Sequence, residues 1–258
     1  MFVAKLKESL LMKKLIESIK DIVTEINLEV TPLGMNIQAM DGSHVALVTV
    51  SLSCEGFEEY RCDKTVTLGI SISQLWKLMK CGGNDDSLTL KCNAEPSYLS
   101  ISFENKKIKK SCNFNLSLIN IESENLGIPD TSYSSIITMS SSEFNRVTRE
   151  LFNVAETVFI ETNKEFVNFS INNEQVSGNI KIDANSSTNI EEATTIKVNT
   201  PVNLCFALRY LNMFTKATPL SETVSLHLSS EYPLKVEYNM EGLGNLRYYL
   251  APRITDEK

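Results

Sequence analysis

Apolar and polar residues alternate with a period of two along most of this chain. Such alternation is typical of strands in antiparallel sheets that bury one face. The segments that show it most clearly are INLEV, MNIQA, VTLGI, SLTLKC, CNFNLSL, FVNFSI, TIKV, VSLHL and LKVEY. Four shorter segments have apolar residues at helical spacing instead, at 9–20, 72–80, 141–153 and 204–216. The pattern therefore predicts an α+β protein with many strands and four helices.

The second helical segment, ISISQLWKLMKCGG, has two faces of different character. Its apolar residues predict one buried stripe, made of Ile72, Leu75, Trp76 and Met79. A second stripe at the same spacing consists of Ser73, Lys77 and Lys80. This second face carries lysines and no acid, although the whole chain has a formal net charge of −7.

The hydrophobic pattern also repeats within the chain. A shift of 132 residues places the first helical segment over the third and continues in register through the strands that follow. Beyond a small insertion the shift becomes 136, and Ile72 then meets Leu208. The repeat predicts two copies of one unit of antiparallel sheets, each with two helices.

An acidic segment without strand or helix period, INIESENLGIPDTSYSS, separates the two copies. Gly127 and Pro129 interrupt any regular structure in it. A solvated tether would explain its acids, but less well its apolar Leu126 and Ile128 beside Tyr133. We predict three segments: an N-terminal domain at 1–118, a connecting linker at 119–135 and a C-terminal domain at 136–258.

Positive and negative charges fall on different elements. The four helices carry net charges of +2, +2, 0 and +2 in chain order, which leaves −13 for the rest of the chain. Lysines on a single helix are usually just solvated, and that interpretation stays open for any one helix. Their repetition in both copies favours a basic wall suited to a phosphate backbone. Because the one aromatic among them, Trp76, falls on the predicted buried stripe, we expect contact with duplex phosphate without base stacking or sequence readout.

No familiar pattern for catalysis or metal binding is present in the sequence. It lacks a P-loop, a nucleophile elbow, a zinc-protease motif and a Gly-rich dinucleotide turn. His44 and His227 are far apart in sequence, and His227, on the polar side of its strand, is expected at the surface. Asp85 and Asp86 are expected to be solvated in a loop, and KKIKK at 106–110 to be an exposed hairpin tip rather than a nuclear address. We therefore expect no catalytic residue, no metal and no cofactor.

Cysteine spacing and hydropathy predict the compartment. The six cysteines include no C-x-x-C pair, which favours reduced thiols inside a cell. No stretch approaches the ~18 apolar residues of a membrane span, and the first residues spread charge through what would be the apolar part of a signal peptide. We expect neither a membrane partner nor export.

Several longer motifs occur in order along the whole chain. The most specific are FALRYLNMFTKATPLSETV at 206–224 and YYLAPRITDE at 248–257. The others are MDGSHV, EGFEEYRCDKTVTLGISISQLWKLMKCGGNDD, LGIPD and SSEFNRVTREL. Together these motifs resemble the proliferating cell nuclear antigen family of eukaryotic sliding clamps. The resemblance implies a duplicated clamp domain, with three chains closing head to tail into a ring whose helices line the hole.

The function that this resemblance implies is mechanical rather than enzymatic. A homotrimeric ring in the nucleus would encircle duplex DNA without sequence preference and act as a processivity factor. A clamp loader would place it on DNA, and DNA polymerase, flap endonuclease, DNA ligase and repair factors would bind it through a short motif, the PIP box. The alternative is a subunit of the heterotrimeric checkpoint clamp, which would not trimerise by itself. A nuclease or other DNA enzyme would need an acid cluster that the sequence does not show.

The resemblance also implies roles for individual residues. The DNA-facing set is Lys13, Lys14, Lys20, Lys77, Lys80, Lys110, Arg146, Arg149, Asn153, Arg209 and Lys216. The partner-binding set is Met40, His44, Val45, Leu126, Ile128, Pro129, Tyr133, Pro233, Tyr249, Leu250, Ala251 and Pro252, of which Leu126, Ile128, Pro233 and Tyr249 are expected to line one apolar pocket. Lys164 matches the acceptor of ubiquitin and SUMO. The trimer interface is expected at Phe114, Ile180 and Ile182, and Phe114 stands where many relatives have tyrosine.

Overall fold

A computed structural model describes residues 1–122, 126–127, 132–190 and 192–254. The chain divides into two compact units. The first unit comprises Met1–Leu126 and Met240–Leu246, and the second comprises Gly127–Asn239 and Arg247–Lys258. None of the helices in the described ranges has the length and apolar character needed to cross a membrane.

Antiparallel strands and two helices build the first unit. Its strands are β1 (Phe2–Leu6), β2 (Glu25–Thr31), β3 (Gly34–Met40), β4 (Ala46–Ser53), β5 (Glu59–Cys62), β6 (Val66–Ser71), β7 (Ser87–Cys92), β8 (Tyr98–Asn105) and β9 (Lys110–Ser117). One sheet has the order β5-β1-β7-β8-β9, and the other strands follow the order β4-β3-β2-β6. The helices are α1 (Leu10–Ile19) and α2 (Ile72–Met79), and Cys54–Gly56 form one turn of 3-10 helix.

Buried and exposed side chains alternate along the strands, as the sequence pattern predicts. In β2, Ile26, Leu28 and Val30 are buried, whereas Glu25 and Glu29 on the other face are exposed. Each such apolar side chain contributes roughly 1.5–3 kcal/mol when it leaves water. A register shift of one residue would expose all of them, so this pattern fixes the pairing of the strand.

The second unit contains the remaining strands and helices. Its strands are β10 (Ser135–Ser140), β11 (Thr157–Thr162), β12 (Phe166–Asn172), β13 (Ser177–Asp183), β14 (Thr195–Val198), β15 (Val202–Ala207) and β16 (Thr223–Leu228). They are followed by β17 (Leu234–Met240) and β18 (Gly244–Leu250), of which Met240 and residues 244–246 fall in the first unit. Two strand orders occur, β14-β10-β16-β17 and β13-β12-β11-β15. The helices are α3 (Ser141–Phe152), α4 (Leu208–Phe214) and a 3-10 helix at Thr215–Leu220.

Both units repeat the same topology. In each unit the first strand is followed by one helix and the sixth strand by another. The order β5-β1-β7-β8 matches β14-β10-β16-β17, and the order β4-β3-β2-β6 matches β13-β12-β11-β15. This agreement confirms the predicted α+β fold of duplicated antiparallel units with two helices each.

The predicted start of the fourth helical segment, near 204, is wrong. Its first residues belong to β15, where Cys205 and Phe206 are buried and pair with Phe159 and Val158 of β11. An unbroken apolar run fits a buried strand as well as a helix, and the pairing with β11 decides for the strand. Beyond Phe214 the α-helix gives way to the 3-10 helix that contains Pro219, whose missing N–H cannot serve an α-helix.

Candidate nucleic-acid interface and partner-binding residues

In the first unit, lysines occupy the C-terminal ends of both helices. Lys20 caps α1 and Lys80 caps α2, with Lys77 in the last turn of α2. Cations at these positions are favoured by the helix dipole. Lys20 forms an ion pair with Asp21 at 2.9 Å, whereas Lys77 and Lys80 are exposed and have no acidic partner among the described residues. The two lysines of α2 are therefore available to an external anion.

Trp76 differs from its predicted position in the core. Ile72, Leu75 and Met79 are buried as predicted, but the Trp76 side chain is partly exposed. The Nζ atoms of Lys20 and Lys80 lie 5.9 Å and 5.7 Å from the centroid of its ring. Trp76 stands at the margin of the apolar stripe, one turn before Lys80, so the helix places its ring on the border with the lysine face. The prediction that Trp76 is buried with the rest of the apolar stripe is wrong.

Lys13 has a structural contact within its own unit. Its ammonium donates hydrogen bonds to the carbonyl oxygen of Gly82 at 2.5 Å and to Oδ1 of Asn84 at 3.2 Å, and burial lowers its pKa. These bonds tie α1 to the loop after α2. The other two predicted DNA contacts of this unit, Lys14 and Lys110, are partly exposed and exposed respectively.

The same loop contains a buried acid that the sequence interpretation placed in solvent. Asp86 is buried, and its carboxylate accepts hydrogen bonds from the Gly83 N–H at 2.6 Å and from Nδ2 of Asn105 at 2.7 Å. These donors, the Gly83 amide first, lower the pKa of Asp86. The solvated interpretation of Asp86 is wrong because its carboxylate fixes the loop. Across the residues that the structure describes, no group of three or more histidine, cysteine or acidic side chains is arranged to hold a metal.

On α3 of the second unit, one arginine is neutralised locally and one is not. Arg146 pairs with Glu143 at 2.6 Å and with Glu150 at 3.4 Å, and both contacts raise its pKa. Arg149 is exposed and has no ion pair within the described part of the chain. Of the two, Arg149 is the arginine whose charge is open to a phosphate.

Three further residues of the predicted DNA-facing set lie in the second unit. Arg209 of α4 is exposed, and its guanidinium carbon lies 4.9 Å from the ring centroid of Tyr210. Lys216 is exposed in the 3-10 helix after α4, and Asn153 is exposed at the C-cap of α3. All three stand at the surfaces or ends of helices, and their contact with DNA stays a prediction.

The linker begins along the second sheet of the first unit. The Ile119 N–H donates to the Gly69 carbonyl of β6 at 3.0 Å, and Nδ2 of Asn27 on β2 donates to the Ile121 carbonyl at 3.4 Å. A Cβ atom on Gly69 would lie 2.0 Å from the Ile119 carbonyl oxygen, so this approach requires glycine. The segment thus crosses two neighbouring strands.

Gln38 of β3 holds the linker further along. Its Nε2 donates to the Leu126 carbonyl at 2.8 Å, and its Oε1 accepts from the Leu126 N–H at 3.2 Å. The Leu126 side chain is 40% exposed. Sequence reasoning missed Gln38, although its place on the polar side of β3 was visible. Ile128 and Pro129 of the predicted partner-binding set lie outside the described residues.

A tight turn after β3 presents the rest of that set in the first unit. The buried Asp41 carboxylate accepts hydrogen bonds from the N–H groups of Ser43, Val45 and Ala46 at 3.1, 2.8 and 2.7 Å. His44 has a left-handed backbone with φ of 55° and is exposed. Met40 and Val45 are partly exposed. Asp41, which the sequence did not single out, is the residue that shapes this turn.

In the second unit, Tyr133 packs among aromatic and basic side chains. Its ring centroid lies 5.3 Å from that of His227 and 6.3 Å from that of Tyr232, in edge-on arrangements. The Lys235 ammonium lies 5.4 Å from the Tyr133 ring centroid. The end of the linker is therefore anchored to β16 and β17.

Glu237 lies at the centre of the charges beside this cluster. Its carboxylate is 3.4 Å from Nε2 of His227, 2.6 Å from Nε of Arg247 and 3.4 Å from Nζ of Lys235. The contacts with His227 and Arg247 lower the pKa of Glu237 to about 2. The His227 side chain is only 13% exposed. The prediction of a surface histidine is wrong, because the side chains of Tyr133 and Glu237 pack against it.

The remaining predicted partner-binding residues of the second unit differ in exposure. Pro233, Ala251 and Pro252 are exposed, whereas Tyr249 is 8% exposed and Leu250 is fully buried. The Leu250 side chain thus belongs to the core, and only its backbone is left for a partner.

Lys164 stands at the tip of the turn between β11 and β12. Its side chain is exposed. Oδ1 of Asn163 accepts hydrogen bonds from the N–H groups of Glu165 and Phe166 at 2.8 and 2.9 Å, which fixes the turn. The amine is presented on a well-defined loop.

Residues predicted for the trimer interface lie on strands at sheet edges. Among the described residues, β9 pairs with β8 on one side and β13 pairs with β12 on one side. Phe114 of β9 is partly exposed, as are Ile180 and Ile182 of β13. Both strands therefore combine apolar side chains with open backbone hydrogen-bonding groups on one edge.

Two family models match the chain. The model for proliferating cell nuclear antigen, N-terminal domain, matches residues 1–125, and the model for proliferating cell nuclear antigen, C-terminal domain, matches residues 127–253. The two matches follow one another in the order of the duplicated units and together span nearly the whole chain.

Proposed function

This chain belongs to the proliferating cell nuclear antigen family of sliding clamps, and from that premise we propose that it forms a homotrimeric ring around duplex DNA in the nucleus. The family consists of non-enzymatic scaffolds. The ring would tether DNA polymerase, flap endonuclease, DNA ligase and repair factors and would be placed on DNA by a clamp loader. Tethering raises the local concentration of each enzyme on its substrate without altering its chemistry.

The observation that carries the proposal is the charge of the helix surfaces. Lys77 and Lys80 in the first unit, with Arg149 and Arg209 in the second, are exposed on helices of a chain with net charge −7. Phosphate contacts of this kind carry no sequence information and weaken as salt rises. They suit a protein that stays on DNA by topology and slides along it.

Two measurements on the native chain test the proposal. Its mass in solution should be three times 28.9 kDa, and its binding to linear duplexes should fall steeply with salt and be equal for unrelated sequences. Salt-insensitive binding to one particular sequence would contradict the DNA part. A chain that stays monomeric until two different chains are added would instead be a checkpoint-clamp subunit.

We propose that the ring closes through the edges β9 and β13 of neighbouring chains, with Phe114 near Ile180 and Ile182. Phe114→Ala removes most of an apolar contact at this seam. We therefore expect the trimer to dissociate already at a protein concentration at least about tenfold higher than the native trimer does. Analytical ultracentrifugation across a concentration series measures this. Ile108→Ala, at the exposed hairpin tip beside β9, is the matched control. Equal dissociation of native and Phe114→Ala chains would place the interface elsewhere.

For partner binding, we propose that the linker presents apolar side chains to a short motif of glutamine, an aliphatic residue and two aromatics. Truncation of a buried anchor typically costs ~2 kcal/mol or more, so Ile128→Ala should weaken a motif peptide about thirtyfold. Gln38→Ala should weaken it less, because it frees the backbone of Leu126 and keeps every apolar side chain. Calorimetry measures both, with the exposed Val176→Ala as control. Unchanged affinity of Ile128→Ala would rule out this site.

Lys164 is our proposed acceptor of ubiquitin and SUMO. Its exposure on a turn that Asn163 holds in shape supports access by conjugating enzymes.

A further inference from the structure

Trp76, the one tryptophan of the chain, borders the basic helix face of the first unit. Its ring is partly exposed on α2, between the ammonium groups of Lys20 and Lys80 at 5.9 Å and 5.7 Å from the ring centroid. Cations within about 6 Å of an indole ring are attracted by its π-face. The two lysines are therefore gathered around one flat, uncharged surface.

The indole N–H of Trp76 has no hydrogen-bond acceptor among the described residues. Tryptophan N–H groups usually find a partner when they are buried, and one at a surface can serve a ligand. Asp21 offsets the charge of Lys20, but Lys77 and Lys80 have no acidic partner among the described residues. The surroundings of Trp76 thus offer hydrogen-bond donors and a surplus of positive charge, which together select an anionic acceptor.

We infer that Trp76 is a direct contact to duplex DNA, with its indole N–H donating to a backbone phosphate oxygen between the ammonium groups of Lys20 and Lys80. This inference rests on the proposed function. The phosphate backbone is the favoured occupant because single-strand binding uses several aromatics on which successive bases stack, and α1 and α2 offer one. Because the Trp76 side chain is uncharged, its contact with a phosphate does not displace a further counterion from the DNA. The DNA backbone can therefore slide past it.

Fluorescence of the single tryptophan tests the contact directly. Native protein is titrated with a 30-base-pair duplex at low salt, and acrylamide quenching is measured at each point. We expect the quenching constant to fall at least twofold at saturation, since DNA would cover the ring. Trp76→Phe identifies the source of the signal. Unchanged quenching and emission at saturating DNA would overturn the inference.

Affinity and its salt dependence supply the second test. Trp76→Phe removes the N–H and keeps an aromatic ring, so duplex affinity should fall threefold or more while the slope of log affinity against log salt stays the same. Lys80→Gln should reduce that slope by ~1, because one phosphate contact loses its charge. Leu33→Ala, an exposed apolar position on another turn of this unit, is the control. Native affinity in Trp76→Phe would assign the ring to packing alone.

These outcomes separate the contact from the function on which it rests. If the native chain binds no duplex at any salt, the proposed function fails. If the native chain binds and Lys80→Gln weakens binding while fluorescence and Trp76→Phe are silent, only the role of Trp76 is overturned. If Trp76→Phe does not fold, acrylamide quenching of the native protein still shows whether DNA covers Trp76.

Discussion

Replacing Lys77 and Lys80 together by glutamate is expected to lower the affinity for linear duplex DNA by at least about tenfold at physiological salt. Both side chains are exposed and free of acidic partners among the described residues. Without these two phosphate contacts, binding releases fewer counterions from the DNA. The introduced carboxylates also repel the phosphate backbone of the DNA. The slope of log affinity against log salt should therefore fall by ~2. Fluorescence anisotropy from 50 to about 200 mM salt measures both quantities.

A matched control separates this local effect from net charge. Lys106→Glu with Lys107→Glu makes the same change of charge in the exposed turn between β8 and β9, and it should alter the affinity much less. The mass of the assembly and the affinity for a motif peptide should stay native in both double variants. An equal loss of DNA affinity in the two would mean that DNA responds to overall charge and not to α2.

Glu237→Ala is expected to destabilise the second unit by about 2–3 kcal/mol near neutral pH. The Glu237 carboxylate is the shared partner of Arg247, Lys235 and His227. Its removal leaves the cations of Arg247 and Lys235 close together without their counter-charge, and the partly buried Arg247 guanidinium loses its 2.6 Å hydrogen bond. Urea unfolding followed by far-UV circular dichroism measures the change. Glu161→Ala, at an exposed acid of β11, is the control.

The same carboxylate gives a signed pH dependence. The pKa of Glu237 is about 2 in the folded protein and ~4.3 in an unfolded chain. A depressed pKa means that the stabilisation is complete above pH ~4.3 and is lost as the pH falls toward 2. The free energy of unfolding should thus drop across this window more steeply in the native protein than in Glu237→Gln. Parallel curves would show that Glu237 is not stabilised by its neighbours.

The fold was predictable wherever buried apolar residues and exposed polar residues alternate clearly along the chain. Strand β2 alternates buried Ile26 and Leu28 with exposed acids, so a period of two is visible without tertiary information. The start of α4 was not predictable, because Leu204, Cys205 and Phe206 form an apolar run that a strand buries as readily as a helix. Pairing with β11, over forty residues earlier, settles that choice.

The basic face was predictable from helical spacing, but its details were not. Lys77 and Lys80 follow from the periodicity of α2, while the partial exposure of Trp76 does not follow from its spacing. The environment of Glu237 depends on the register of β16 and β17, which places Lys235 opposite His227. In the sequence Gln38 is an ordinary polar residue of β3, and its role comes only from its hydrogen bonds with the distant Leu126. Contacts between residues distant in sequence are absent from local patterns.

The two edge strands proposed for the seam are different strands, β9 in the first unit and β13 in the second. Chains that join β9 to β13 use unlike surfaces, so the association is heterologous and every subunit points the same way around the ring. Such a ring has no twofold axis across its plane, and its two faces are chemically distinct. All copies of a given surface loop then lie on one face, and an enzyme held there meets the DNA in a single orientation. In the proposed ring, the use of two unlike edges would thus give the assembly a direction along the duplex.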